Sequence, residues 1–291
     1  MRKKLGNEME KAWILGMAFI VILLFALMLL HIGRESLPSW KEAGKEMFSP
    51  ASPWRPVSAK PSFGLLPMIA GTLFVSGLAV ILAMILGVLS SLYLHFYLPE
   101  NTAKMILSFI DLTAGIPSVI FGLIGLTLVV PQTARHFKMA AGQSVLAASV
   151  VLGVMLIPFV VSSCGESVLE AKRLYELPAL ALGLSKEALI LHMILPAVRK
   201  GILASAMMAF GRGLGETMAV MMVVGNSPIY PRLLGRAQTL PALTALEMGS
   251  VEQGSLHLSV LYTANAVLLV ILFSILLGGY LLKKKGEKDE E

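Results

Sequence analysis

The chain has 291 residues, of which 56% are hydrophobic and 14% charged, a balance that cannot clothe a soluble globule in polar surface and places the protein in a bilayer. Its formal charge of +6 does not point to nucleic acid, because Lys and Arg gather at the ends of apolar runs instead of along one polar face. A lone cysteine, Cys164, excludes an internal disulfide and, set in an apolar run, reads as a packing residue.

Apolar runs fall at 12–32, 65–94, 103–131, 144–164, 201–225 and 258–282. Each is long enough to cross roughly 30 Å of hydrocarbon as a helix. They lack the alternation of barrel strands, and an open sheet cannot span lipid, so the predicted fold is an all-α polytopic membrane protein of about six transmembrane helices. The first run follows a basic start but has no small-residue cleavage site, so it reads as a retained membrane helix. With both termini cytoplasmic, fourteen Lys and Arg lie inside and nine outside, the expected direction of bias. The resulting plan is a cytoplasmic N-terminus (1–11) and a transmembrane domain (12–282), then a cytoplasmic tail of mixed charge (283–291). Within the domain lie an external loop at 33–64, a cytoplasmic loop at 166–200 and a second external loop at 226–257.

Within the third run, Asp111, Gly115, Pro117 and Ser118 place an acid, a glycine and a helix breaker at lipid depth. A broken helix is tolerated only where neighbours or water satisfy the freed backbone groups, so this segment should face the bundle interior. Asp111 fits either that interior or a capping or packing position near the inner interface. The 166–200 loop holds Glu176, Leu177, Pro178 and Ala179 ahead of Gly183, then a second helical stretch ending at Leu195-Pro196. The expected shape is a compact cytoplasmic knob of two short helices.

In the fifth run, Arg212 and Glu216 stand at helical i, i+4 spacing, with Arg212 about 18 Å along a helix from Lys200. A charge at that depth costs several kcal/mol, so it should face protein or water. The pair reads either as a structural lock between helices or as an oxyanion site, for which the planar arginine fork is suited. Gly211 and Gly215 form a G-x-x-x-G helix-packing face, with Gly213 and Thr217 in the same pathway segment. The 17 methionines read as flexible packing, and no metal-ligand spacing, nucleophile–base pair or G-x-x-x-x-G-K-[ST] phosphate loop occurs. Any ATP is therefore expected on another chain, with no cofactor bound by this one.

These residues resemble the membrane subunits of bacterial-type ABC importers, whose cytoplasmic E-A-A-x-x-x-G loop docks onto the ATPase. Gly183, Met193, Leu195 and Pro196 fit its G-x(9)-I-x-L-P spacing, with Glu176 one place early, Leu177 where the family has Glu, and Pro178 where it has Ala. Four further blocks resemble the phosphate-specific permease of the PstC type. They are Phe63 to Pro67 with Gly71-Thr72-Leu73, Ala114 to Ser118 with Gly122, Gly211 to Asn226, and Thr239 to Thr244 with Glu247. The resemblance implies a type I ABC importer permease with a coupling-helix loop in the inner membrane, passing inorganic phosphate alongside a homologous PstA-type subunit. It also implies a cytoplasmic ATPase dimer that uses the ATP and an extracytoplasmic phosphate-binding protein. Sulfate or molybdate transport, a stand-alone channel and a structural scaffold remain the alternatives.

Overall fold

The computed structural model describes residues 2–288, with side chains for Lys11 and residues 13–281. Met1 and residues 289–291 of the two expected terminal segments lie outside it, as do the side chains of residues 2–10, 12 and 282–288. The chain opens with α1 (Arg2–Glu42) and α2 (Gly44–Met47), followed by a hairpin of β1 (Trp54–Arg55) and β2 (Ser62–Phe63). Next come α3 (Leu66–Phe96), α4 (Glu100–Ala114), α5 (Ser118–Ile124), α6 (Val130–His136), α7 (Val145–Ala181) and α8 (Lys186–Leu189). It ends with α9 (Leu195–Leu214), α10 (Met218–Val224), α11 (Leu240–Glu247) and α12 (Leu256–Lys288). Among the described residues, six helices are long and apolar enough to cross a membrane: Trp13–Glu42, Leu66–Phe96, Ser118–His136, Val145–Ala181, Lys186–Leu214 and Leu256–Leu281.

The centre of the bundle is the α3/α7 pair. On α3 the buried stripe is Val75, Ala79, Ala83, Gly87 and Ser91; on α7 it is Ala148, Leu152, Leu156, Val160, Cys164 and Val168. Both repeat every four residues, so a ridge of small side chains on α3 receives a ridge of larger ones from α7. The fit is close enough that a Cβ on Gly87 would lie 2.6 Å from Val160 Cγ1. Cys164 is buried in this core.

Two spans contain a π-helical turn, Gly125–Val129 and Ile190–Ile194, and each turn runs directly into a helix whose second residue is proline, Pro131 or Pro196. Proline lacks an N–H and its ring crowds the carbonyl four residues back; widening the preceding turn accommodates both without ending the helix. Hence the helical stretch that was expected to stop at Leu195-Pro196 continues into α9. The knob differs correspondingly: instead of two short helices, α7 reaches Ala181 unbroken, and α8 joins α9 through the π turn.

The segments at 33–64 and 226–257, expected as loops, hold much regular structure. Helix α1 runs past its apolar stretch to Glu42, pinned to α12 where the Ser39 amide donates to Ser259 Oγ (3.0 Å), Ser39 Oγ meets Thr263 Oγ1, and Ser259 Oγ donates to the Glu35 carbonyl (2.7 Å). The hairpin pairs Trp54 with Phe63 and closes over a second core of Met47, Leu65, Met68, Leu240, Leu243 and Leu261. Glu247 fastens this cap by accepting from Trp54 Nε1 (3.0 Å) and pairing with His257 Nε2 (2.8 Å). The 63–73 and 239–244 blocks also touch: Thr72 Oγ1 accepts from the Leu240 amide at 2.9 Å, and a Cβ on Gly71 would lie 2.4 Å from the Gln238 carbonyl oxygen.

Helices α5 and α10 meet at Gly122, where an added Cβ would lie 2.7 Å from Met222 Sδ and 3.0 Å from the Ala219 Cα. The methionine can move aside but the backbone cannot. We therefore expect Gly122→Val to force the two helices apart and cost about 1–3 kcal/mol, read as a lower thermal midpoint of the detergent-solubilised assembly. An unchanged midpoint would mean that this contact does not hold the pair together.

Candidate functional site

The fifth span is not one helix through Val224. Helix α9 ends at Leu214, Gly215 occupies its C-cap, and α10 starts afresh at Met218. Arg212 and Glu216 therefore do not share the face of a continuous helix, as their spacing had suggested. The Glu216 carboxylate instead turns forward and accepts from the Ala219 amide at 3.1 Å, in the first turn of α10. A carboxylate there meets unpaired N–H groups and the positive end of the helix dipole. Thr217 Oγ1 donates to the Gly215 carbonyl at 3.2 Å, satisfying one oxygen freed by the break.

Arg212, released from Glu216, lies exposed with its Cζ 5.8 Å from the centroid of the Phe159 ring on α7, and it makes no ion pair among the described residues. The ring face attracts the guanidinium without consuming its forked donors. An exposed arginine in the last turn of a spanning helix cannot face hydrocarbon cheaply, so this side of the bundle must meet protein or water.

The third apolar run, expected as one broken span, divides before it crosses. Helix α4 ends at Ala114, Gly115 caps it, and Pro117 leads into α5, the start of the candidate span Ser118–His136, so Asp111, Gly115 and Pro117 precede that span. Because Gly122 of α5 meets Met218, Ala219 and Met222 of α10, the two breaks lie within about one helical turn of each other in depth. Gly115, Ile116 and Pro117 are exposed, and lipid could not satisfy backbone opened there. Asp111, also exposed, accepts from Ser162 Oγ of α7 at 2.8 Å.

The glycines divide their tasks differently from a G-x-x-x-G face. A Cβ on Gly211 would lie 3.0 Å from Leu272 of α12, and one on Gly213 would point at Leu156 of α7 and Ser76 of α3. Gly215 approaches no other helix and serves the break. Phe159 and Ser162, which place Arg212 and Asp111, carried no signal of that role in the sequence, being one aromatic and one serine in an apolar run.

The knob lies at the other end of α9, about 25 Å along the helix from Arg212. Here Gly183, at φ +69°, ends α7 with the Leu184 amide on the Ala179 carbonyl and the Gly183 amide on the Leu180 carbonyl, both 3.0 Å. This double bond pattern needs a left-handed residue, which glycine supplies without strain. Ser185 then caps α8 by accepting from the Ala188 amide at 3.2 Å. Ala179 is buried, Leu195 and Pro196 lie at the start of α9, and Glu176 pairs with Lys172 at 3.6 Å, while Leu177, Pro178, Leu180 and Leu182 stand exposed on the turn.

Residues 79–285 match the family of binding-protein-dependent transport system inner membrane components. The chain belongs to this family of ABC importer permeases. A relative in Bacillus subtilis, the probable ABC transporter permease protein YqgH, is 30% identical across 89% of this permease and 85% of its own length. The probable phosphate transport system permease protein PstC of Methanocaldococcus jannaschii is 28% identical across 98% of this chain and 97% of its own. For the phosphate transport system permease protein PstC of Xylella fastidiosa strain Temecula1 the figures are 31%, 90% and 85%. In fold, the permease is similar to a chain of a bacterial importer of the polysaccharide alginate, with a TM-score of 0.63 at 14% identity, covering 97% of this chain and 99% of that one. It is also similar to an inward-facing methionine ABC transporter MetNI, with a TM-score of 0.59 at 17% identity, covering 76% of this chain and 95% of that one. The permease is a multi-pass inner-membrane subunit of a binding-protein-dependent importer, and a separate subunit carries the ATPase.

The position of Glu216 yields a direct test. Glu216→Ala removes the contact to Ala219 and should cost about 1 kcal/mol, whereas Glu216→Gln keeps an oxygen that can accept the same bond. Thermal midpoints of the assembled complex should fall for Ala and hold for Gln. Equal falls would show that charge, not the hydrogen bond, is what Glu216 supplies.

Proposed function

We propose that this permease forms, with a homologous PstA-type subunit, the pathway for inorganic phosphate, with Arg212 contacting the anion. The observation that carries the reading is an arginine at a break in the fifth span, exposed and detached from the neighbouring Glu216. Its fork matches two oxygens of a tetrahedral anion, and a conduit needs sites that also let the ion leave. The PstC names of relatives at 28–31% identity support phosphate in particular. Further support comes from the stretch 132–143 and the first part of the 226–257 loop, which carry Arg135, Lys138, Arg232 and Arg236; the loop's carboxylates, Glu247 and Glu252, come later, and Glu247 is paired with His257. Positive charge there runs against the usual topological bias and suits attraction of an anion to the mouth.

In this reading both termini are cytoplasmic. The binding protein delivers phosphate outside, a cytoplasmic ATPase dimer binds and uses the ATP, this chain holds no cofactor, and the turn around Gly183 passes nucleotide-driven motion to the helices. Ordered rearrangement of the paired breaks exchanges an outer opening for an inner one. The deciding experiment is ATP-dependent phosphate uptake by reconstituted vesicles containing all partners, with sulfate and molybdate as competitors. Uptake inhibited by neither supports phosphate; transport of sulfate or molybdate in its place returns the assignment to those oxyanions.

A further inference from the structure

Asp111, exposed on α4 beside α7, is a second charge near the site, and the phosphate reading gives it no task. It is not a helix cap. Helix α4 runs from Glu100 to Ala114, so Asp111 sits in the last turn, where the dipole repels a carboxylate. Nor does an ion pair to a basic residue hold it among the described residues; its partner is the neutral Ser162 hydroxyl at 2.8 Å. A charged group placed against its own helix dipole, exposed on the uncovered side of the bundle, needs another reason to be there.

That reason lies one turn away. Ser162 follows Phe159 by three residues on α7, about 4.5 Å further toward the turn at residues 182–185. Phe159 carries the Arg212 guanidinium on its ring, so neighbouring positions on one helix hold a cation and then, nearer the ATPase end, an anion. No ion pair joins the two. Asp111 on α4 and Arg212 on α9 also lie a few residues before the Gly115–Pro117 and Gly215–Thr217 breaks. Movement at either break changes their separation.

We propose that Asp111 is the release residue of the pathway, a fixed carboxylate on the ATPase side of Arg212 that competes with a bound oxyanion for the guanidinium. This rests on the oxyanion reading above. An anion at Arg212 alone would be retained; the nearby carboxylate repels the anion and attracts Arg212 as the breaks close, which lowers occupancy and clears the site. Ser162 is the positioning residue that aims the carboxylate.

The test uses the whole assembly of both permease subunits and the ATPase pair, with radiolabelled inorganic phosphate as probe. Equilibrium binding is measured in detergent and ATP-driven turnover in vesicles. Asp111→Asn should bind phosphate about fivefold more tightly yet turn over about tenfold more slowly, a split that a merely structural acid would not produce. Asp111→Glu should restore both values toward native, and Ser162→Ala should move both in the Asn direction by about twofold. Unchanged or weaker phosphate binding in Asp111→Asn overturns the proposal. If that variant fails to assemble, Ser162→Ala decides, and native binding and turnover in it overturn the proposal equally. A native assembly that neither binds nor carries phosphate overturns the oxyanion reading itself, a result distinguishable because it appears before any substitution is made.

Discussion

Replacing Arg212 by Gln should reduce ATP-dependent substrate uptake at least about a hundredfold while leaving the complex assembled. Gln keeps much of the side chain's length and polarity, so the neighbouring helices need not repack. What disappears is the charge and the forked pair of donors. Because Arg212 is exposed and supported by the Phe159 ring instead of an ion pair, its removal leaves no buried carboxylate stranded and the fold should tolerate it. Arg212→Lys, which restores the charge as a single point without the fork, should recover only part of the activity, falling roughly tenfold short of native. The measurement is initial uptake at matched amounts of assembled complex. Native uptake by Arg212→Gln would remove the residue from the pathway, and loss of assembly would return it to the structural lock that its spacing to Glu216 first suggested.

The helix break at Gly115–Pro117 could be read from the sequence because proline forbids the local hydrogen bond; the break at Gly215–Thr217 could not be read that way, because no proline marks it. A weaker signal was present: glycine fit for a C-cap followed within two residues by Thr217, a good helix starter, describes an end and a beginning. The i, i+4 spacing of Arg212 and Glu216 dominated that signal, although spacing implies a shared face only if the helix continues. The continuation of α1 to Glu42 was hidden for another reason. Its support, Ser259 and Thr263, lies over 200 residues away, so local composition around Pro38 could only read as loop. The same holds for the cap around Trp54, whose partner Glu247 comes from the segment ahead of α12. Long-range hydrogen bonds decide these elements, and a single sequence does not display them.

At the Gly183 turn, Leu177→Asp combined with Leu182→Asp should cut uptake more than about tenfold by releasing the ATPase, without unfolding the permease. Leu177 and Leu182 are 75% and 76% exposed, so the fold buries little of either and loses little when they change. Covering each leucine with a partner is worth about 1.5–3 kcal/mol. Aspartate would replace that gain with the penalty of desolvating a charge, and two such changes comfortably exceed the 1.4 kcal/mol that marks a tenfold loss. The turn itself must survive for the comparison to mean anything, and it should, because the Gly183 and Ser185 backbone contacts do not involve these side chains. Gly183→Val supplies the contrast: at φ +69° a β-branched residue is strained by about 1–3 kcal/mol, so it should disturb the turn while leaving the leucines in place. Co-purification of the ATPase with the permease, followed by uptake, separates the outcomes. Lost co-purification in the double aspartate variant assigns the docking surface to these leucines; retained co-purification with native uptake would place the ATPase contact elsewhere on the cytoplasmic side.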